Sequence, residues 1–158
     1  MRIIFFDVDG TLSSPCYNVD GKLQIGMSDE KWAWYCDHYR DDAYRWCKPV
    51  PQVKDYAIKA KAAGAKLYVL TTSGTQIETI AKKKFLDEKY PGIFDDVYSV
   101  LHDDDKCPFI LKKASQLNAT PQECELVEDT YRILLQTVVA GIKSTHISTI
   151  LTMDDNAQ

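Results

Sequence analysis

Two carboxylates, Asp7 and Asp9, stand two residues apart in the stretch Asp7-Val8-Asp9-Gly10-Thr11, directly behind the apolar run Ile3-Ile4-Phe5-Phe6. Such a pair can divide its labour, one carboxylate attacking an electrophile and the other moving protons. Three further stretches carry complementary groups: Thr71, Thr72 and Ser73 in LTTSG, then Lys106, then Glu128 and Asp129 in VEDT. Hydroxyls and an ammonium can hold phosphoryl oxygens as charge spreads onto them. Carboxylates and carbonyls suit Mg²⁺, a hard cation that prefers oxygen. The net charge is −4, so an anionic substrate needs local positive charge, which a bound metal supplies. The chemistry expected is attack by Asp7 on phosphorus, with Asp9 giving a proton to the leaving alcohol and then taking one from water. Lys106 and Thr71 would hold the phosphoryl group, and Gly10 would let the chain turn tightly beside the metal.

These stretches can act together only if the fold gathers them. Short apolar or β-branched runs at 3–6, 67–70, 97–100, 125–127 and, more weakly, 143–147 read as parallel strands covered on both faces. Helical patterns fill the gaps at 53–63, which stops at Gly64, at 76–89, which stops before Tyr90-Pro91-Gly92, and at 108–117 and 131–140. Thr120-Pro121-Gln122-Glu123 has the form of a capping box over a short turn. The βαβα order predicts an α/β fold, a three-layer doubly wound parallel sheet with right-handed crossovers. Open sheets of this kind bind ligands beyond the carboxyl ends of their strands, where each of the chemical stretches falls.

The segment 13–50 breaks the rhythm. It holds Trp32, Trp34 and Trp46 with Tyr17, Tyr35, Tyr39 and Tyr44. Ser28 can cap a helix from Asp29 onward, and Trp32, Tyr35, Tyr39, Ala43 and Trp46 recur near helical spacing. The segment is expected to be a small helical insertion over the carboxyl edge, within a single domain spanning 1–158. Its aromatic stripe is expected to pack as core, the alternative being rings that stack on a base or sugar.

Composition bounds the rest. The 45% apolar and 27% charged shares are those of a globular chain, and the acidic balance advertises no nucleic-acid partner. Five cysteines without a CxxC pair indicate neither a disulfide framework nor a ribbon zinc site; Cys36, His38 and Cys47 are the one grouping to check, with packed thiols expected. The amino-terminal apolar run meets Asp7 too soon for a secretory signal, and no apolar run approaches the roughly 20 residues that span a bilayer, so a cytoplasmic protein without membrane association is expected. The sequence sets no oligomeric state.

FFDVDGTL, LTTSG, Lys106 and VEDT, in this order, resemble the four motifs of the haloacid dehalogenase superfamily, and PGIFDDVYSV is similar to that family's approach to its third strand. The resemblance covers nearly the whole chain outside the insertion. It implies that Asp7 is nucleophile and metal ligand, and that Asp9 is the general acid/base whose backbone carbonyl also binds metal. It further implies Thr71 as the second-motif hydroxyl, Lys106 as the third-motif base and Asp129 as a metal ligand, with Mg²⁺ as cofactor. An aspartate at position 9 is what phosphatase and phosphotransferase branches carry. Three features depart from the pattern. Glu128-Asp129 stands where many members have Gly-Asp or Asp-Asp, and Ile133 and Leu134 stand where a further acid is common, which leaves Glu128 as an outer-sphere or water-mediated ligand. Thr72 and Ser73 replace the commoner Asn or Gly beside the phosphate. The insertion is short for a full cap.

The expected activity is therefore Mg²⁺-dependent hydrolysis of a phosphate monoester through an aspartyl-phosphate, on a nucleotide, sugar phosphate or other small phosphorylated metabolite. A phosphotransferase on the same scaffold and a catalytically weak binding or regulatory module are the alternatives. Receiver domains also use acids, a hydroxyl and a lysine on a doubly wound sheet, but their phosphorylated Asp follows the third strand, whereas here the paired acids follow the first. Aspartate and glycine are ordinary turn residues, and it is the ordered company of the other motifs that lifts Asp7 and Asp9 above a turn. Asp103, Asp104 and Asp105 read as a solvated loop, and His102 and His146 as structural or exposed groups.

Overall fold

The structure, a computed structural model, describes residues 1–153; the polar stretch 153–158 reads in the sequence as a frayed tail, and all of it but Met153 lies outside the described residues. Five parallel strands form the central sheet: β1 (Ile3–Phe6), β6 (Lys66–Thr72), β7 (Asp96–Val100), β8 (Cys124–Glu128) and β9 (Lys143–His146). Their spatial order is β7-β6-β1-β8-β9, so the first strand sits in the middle and the chain winds outward in both directions. Every residue of β1 is buried and apolar; all five of β8 are buried too, with Glu125 and Glu128 kept inside on Arg2 and Lys106.

Successive side chains of β1 supply opposite layers. Ile4 and Phe6 join Leu67, Val69 and Val127 beneath α2 (Pro51–Ala62), α3 (Gln76–Lys89) and α6 (Ile147–Leu151). Ile3 and Phe5 join Tyr68, Leu70 and Leu126 beneath α4 (Lys106–Gln116) and α5 (Tyr131–Val139). Each such side chain contributes about 1.5–3 kcal/mol on burial. The helix punctuation is chemical. Thr75 accepts a hydrogen bond from the Glu78 amide at the start of α3, and Gly64, with φ of 87°, follows α2 in the left-handed conformation that glycine adopts freely. The capping box Thr120…Glu123 forms over a single 3₁₀ turn at Pro121–Glu123.

The segment 13–50 is less helical than its aromatic spacing predicts. It leaves and returns through a short antiparallel ladder between β2 (Ser13–Ser14) and β5 (Lys48–Pro49). A hairpin of β3 (Tyr17–Val19) and β4 (Lys22–Gln24) turns at Asp20-Gly21, both with positive φ. An Asp-Gly pair supplies those conformations at little steric cost, and it was a readable hairpin signal. Helix α1 (Asp29–Tyr39) begins at Ser28, whose hydroxyl accepts from the Lys31 amide. It ends before Ala43 and Trp46: Arg40 turns out of the helix at φ 50°, and Lys84 on α3 pulls in Asp41 and Asp42 at 2.9 and 2.7 Å. The aromatic stripe is thus divided between α1 and the turn that follows it. Tyr35 and Tyr44 are buried, and Trp32 packs edge-on to Tyr17 and Tyr44 and parallel to Tyr35.

Candidate active site

The carboxyl ends of β1, β6 and β8 converge on one rim, and each ends in polar residues that its apolar run carries there. The Asp7 amide donates to the Val127 carbonyl at 3.0 Å, which registers the first loop against β8. Thr71 and Thr72 lie inside the last turn of the pleat of β6 rather than after it. Lys106 is the first residue of α4, so its long side chain enters the rim from the helix start.

Lys106 joins the outer acids to the inner one. Its Nζ lies 2.8 Å from Asp7 Oδ1 and 2.7 Å from Glu128 Oε2, and its side chain is 2% exposed. The other Glu128 oxygen accepts from the amides of Asp129 and Thr130 at 3.1 and 3.2 Å. Carboxylate oxygens of Asp7, Glu128 and Asp129 come within 4.8 Å of one another. Burial, with repulsion from Glu128 and Asp9, outweighs Lys106 and pushes the Asp7 carboxyl up to about 7. Burial likewise raises Glu128. Lys106 itself is raised: burial opposes its charge, but the two carboxylates more than offset that and keep it an ammonium.

Three carboxylates against one ammonium leave a formal charge of about two negatives, and all donors are oxygens. That donor set fits a hard divalent cation, which would also relieve the repulsion that raises Asp7 and Glu128. Gly10 makes the approach possible. Its φ is +76°, and a Cβ there would lie 2.1 Å from Asp129 Oδ2. His146 steadies the same loop, its Nε2 lying 3.0 Å from the Asp129 carbonyl oxygen and its Nδ1 2.7 Å from Ser148 Oγ. It is a structural group, as expected from the sequence.

Asp9 points elsewhere. Its Oδ1 accepts from Tyr44 Oη at 2.6 Å and from Tyr17 Oη at 3.2 Å, and its Oδ2 lies 2.9 Å from Lys82 Nζ. Burial and the neighbouring Asp9 carboxylate raise both tyrosines, so they stay protonated donors. Lys82 also reaches Glu78 Oε1 at 2.8 Å, Thr71 Oγ1 at 3.1 Å and the Thr72 carbonyl. The side chains of the two sequence-paired aspartates therefore belong to different ion clusters.

Lys82 was missed in the sequence because it sits in Ala81-Lys82-Lys83-Lys84, which reads as a solvated helical face. The available signal was positional. Glu78, Ala81, Lys82 and Phe85 share the helical spacing of one stripe, and that stripe is buried.

The remaining candidates divide. Thr71 is buried at the rim. The Thr72 hydroxyl donates to Asp103 at 2.6 Å, so Thr72 faces the acidic turn that follows β7. Ser73 is buried with its Oγ unpartnered. Asp103, Asp104 and Asp105 form a 3₁₀ turn and are tied by structure: Arg132 pairs with Asp104, and Asp105 accepts from the His102 amide. Among the described residues Cys36, His38 and Cys47 do not form a metal-binding group. Cys36 and Cys47 are buried thiols, and His38 stacks on Trp34 at 4.9 Å. No helix among the described residues is long and apolar enough to cross a membrane.

No protein-family model matches this chain, and no curated protein matches it. Solved structures do. A D,D-heptose 1,7-bisphosphate phosphatase from B. bronchiseptica, complexed with magnesium and phosphate, superposes with a TM-score of 0.61 at 15% identity, covering 98% of this chain and 88% of that one. A haloacid dehalogenase-superfamily hydrolase of subfamily IA from Geobacter sulfurreducens gives 0.60 at 14% identity, over 91% of this chain and 88% of that one. An uncharacterized protein from Listeria monocytogenes serotype 4b gives 0.64 at 17% identity, over 100% of this chain and 85% of that one. With its central β1, its strand order and its first loop crossing to β8, the chain has the fold of the haloacid dehalogenase superfamily.

Proposed function

We propose that this protein is a Mg²⁺-dependent phosphate monoester hydrolase that works through an aspartyl-phosphate on Asp7. The observation that carries the reading is the Lys106 ammonium bridging Asp7 and Glu128 at 2.8 and 2.7 Å with the Asp129 carboxylate alongside. Asp7 and Asp129 would ligate the ion directly, together with the Asp9 backbone carbonyl. Glu128, whose two oxygens already accept from Lys106 and two backbone amides, acts from the outer sphere. Bound Mg²⁺ would neutralise the acidic cluster and offset repulsion between Asp7 and the anionic phosphoryl group.

In the first half-reaction an Asp7 oxygen forms a bond to phosphorus, the P–OR bond breaks, and Asp9 gives its proton to the leaving oxygen. In the second, Asp9 takes a proton from water as the water oxygen attacks phosphorus, which frees Asp7 and inorganic phosphate. Lys106 stabilises charge on the transferring group, and Thr71 and Ser73 offer hydroxyls to its oxygens.

The space beside Asp9 supports a reading of the substrate class. A cavity of about 250 Å³ opens there, lined by Tyr17, Ile25, Met27, Trp32 and Glu78 as well as Asp9. Among the described residues its lining includes no lysine or arginine. The segment 13–50 thus acts as a small cap that favours a monophosphate with a flat, uncharged or apolar leaving group. A second phosphate would face carboxylates, so bisphosphates, the substrates that one structural relative is named for, are expected to be poor.

A screen of nucleoside monophosphates, sugar phosphates and bisphosphates with Mg²⁺ tests this reading. Monophosphate turnover is expected with Mg²⁺ and loss of it with EDTA. Asp7→Asn is expected to lower kcat by about 10⁶-fold, the scale of removing a covalent nucleophile. Metal-independent turnover, or an Asp7→Asn variant at wild-type rate, would remove the mechanism.

A further inference from the structure

Lys82 is an ammonium 1% exposed, and it meets acceptors from three separate pieces of chain. These are Asp9 Oδ2 behind β1 at 2.9 Å, Thr71 Oγ1 and the Thr72 carbonyl at the end of β6, and Glu78 Oε1 one turn back on α3 at 2.8 Å. Burial disfavours its charge, yet Asp9 and Glu78 outweigh burial and raise it. A buried ion pair is a poor device for stability alone, because well-packed apolar residues of similar volume do as well or better. Its place beside the proposed proton shuttle calls for another explanation.

We infer that Lys82 is a positioning residue for the phosphoryl-transfer step, fixing Asp9 and the Thr71 hydroxyl relative to each other. The inference rests on the hydrolase reading above. An ammonium has only protons to give, so Thr71 Oγ1 is the acceptor in their bond and its own hydrogen is left to point at a phosphoryl oxygen. The Asp9 carboxyl is held on both oxygens, by Lys82 on one side and by Tyr44 and Tyr17 on the other. Fixed on both oxygens, the Asp9 carboxyl keeps one orientation at the rim, and a group held in place before the reaction loses no freedom on reaching the transition state. Glu78 supplies the counter-charge that keeps Lys82 an ammonium inside the fold, and it also accepts from the Gly74 amide at 3.0 Å, which steadies the loop after β6.

The readout is dependence on the leaving group. p-Nitrophenyl phosphate releases a weakly basic phenolate that needs no proton, whereas butyl phosphate releases a strongly basic alkoxide that does. Lys82→Met is expected to lower kcat/KM, which reports the first half-reaction alone, by about 10³-fold on butyl phosphate and by about 10-fold on p-nitrophenyl phosphate, the shared loss coming from the Thr71 hydroxyl and the excess from general acid catalysis. Because Lys82→Met leaves Glu78 buried without its partner, the double variant with Glu78→Gln is measured beside it, with circular dichroism to confirm the fold. Equal losses on both substrates in a folded variant would overturn the inference and leave the hydrolase reading standing. A wild-type protein that hydrolyses neither substrate with Mg²⁺ present would overturn both.

Discussion

Lys106 and Lys82 are both buried ammonium groups, and each is held between two carboxylates at the same rim of the sheet. They serve opposite sides of it. Lys106 enters from the start of α4 and gathers Asp7 with Glu128, where the acids crowd closely enough to hold a cation. Lys82 enters from the middle of α3 and gathers Asp9 with Glu78 and Thr71, where two tyrosine hydroxyls complete the shell. The turn that follows β1 sends the two aspartates of one short loop to different clusters, so the residue proposed to attack and the residue proposed to move protons have different ammonium partners. A pair of carboxylates sharing one cluster would repel strongly; a separate ammonium for each lessens that repulsion, and what remains of it adds to the rise at Asp7.

The sharpest way to break this comparison is to remove the first lysine. Lys106→Met is expected to lower kcat by about 10³-fold on butyl phosphate and p-nitrophenyl phosphate alike, because it stabilises charge on the transferring group whatever leaves. A loss confined to one leaving group would erase the distinction between the two lysines. A smaller effect is expected at the metal side alone. Gly10→Ala places a Cβ where Asp129 Oδ2 now lies, and it strains a backbone at φ +76°. The Mg²⁺ concentration for half-maximal activity should rise by about 10–100-fold, with kcat partly recovered at saturating metal. An unchanged Mg²⁺ requirement would take Asp129 out of the cation site.

The smallest effect is on stability. Burial raises Asp7 from 3.8 to about 7, so the folded metal-free protein keeps a proton there that the unfolded chain has released. That contribution to stability is complete below about pH 4 and is lost as pH rises through about 7. Metal competes with the same proton, so the rise in Tm on adding Mg²⁺ should be slight near about pH 5 and larger by a few degrees near about pH 8. Differential scanning calorimetry in matched buffers measures it. A metal-induced shift independent of pH would detach Asp7 from the cation.

Much of the architecture was legible from local pattern. The runs Ile3–Phe6 and Glu125–Val127 read as strands because parallel strands covered on both faces are short and mostly apolar, and the second of them extends by one residue at each end, to Cys124–Glu128. Helix α3 was readable at both ends from Thr75, Tyr90 and the Pro91-Gly92 that follows. The segment 13–50 was less so. Its aromatic residues follow a helical period while being shared between α1, a turn and β3, and that period masks the Asp20-Gly21 hairpin signal. The rim lay in the sequence as four stretches in order, since strand ends in this topology are fixed places for ligand chemistry.

Which ammonium faces which carboxylate was decided by packing over long separations. Lys106 and Asp7 are 99 residues apart, and nothing local to Lys82 tells it from Lys83 or Lys84. The chain determined the types of group available and the strand ends that carry them. The tertiary structure decided their pairing, because a lysine becomes an inward-facing ion only when its helix turns that side toward a sheet whose edge already holds acids.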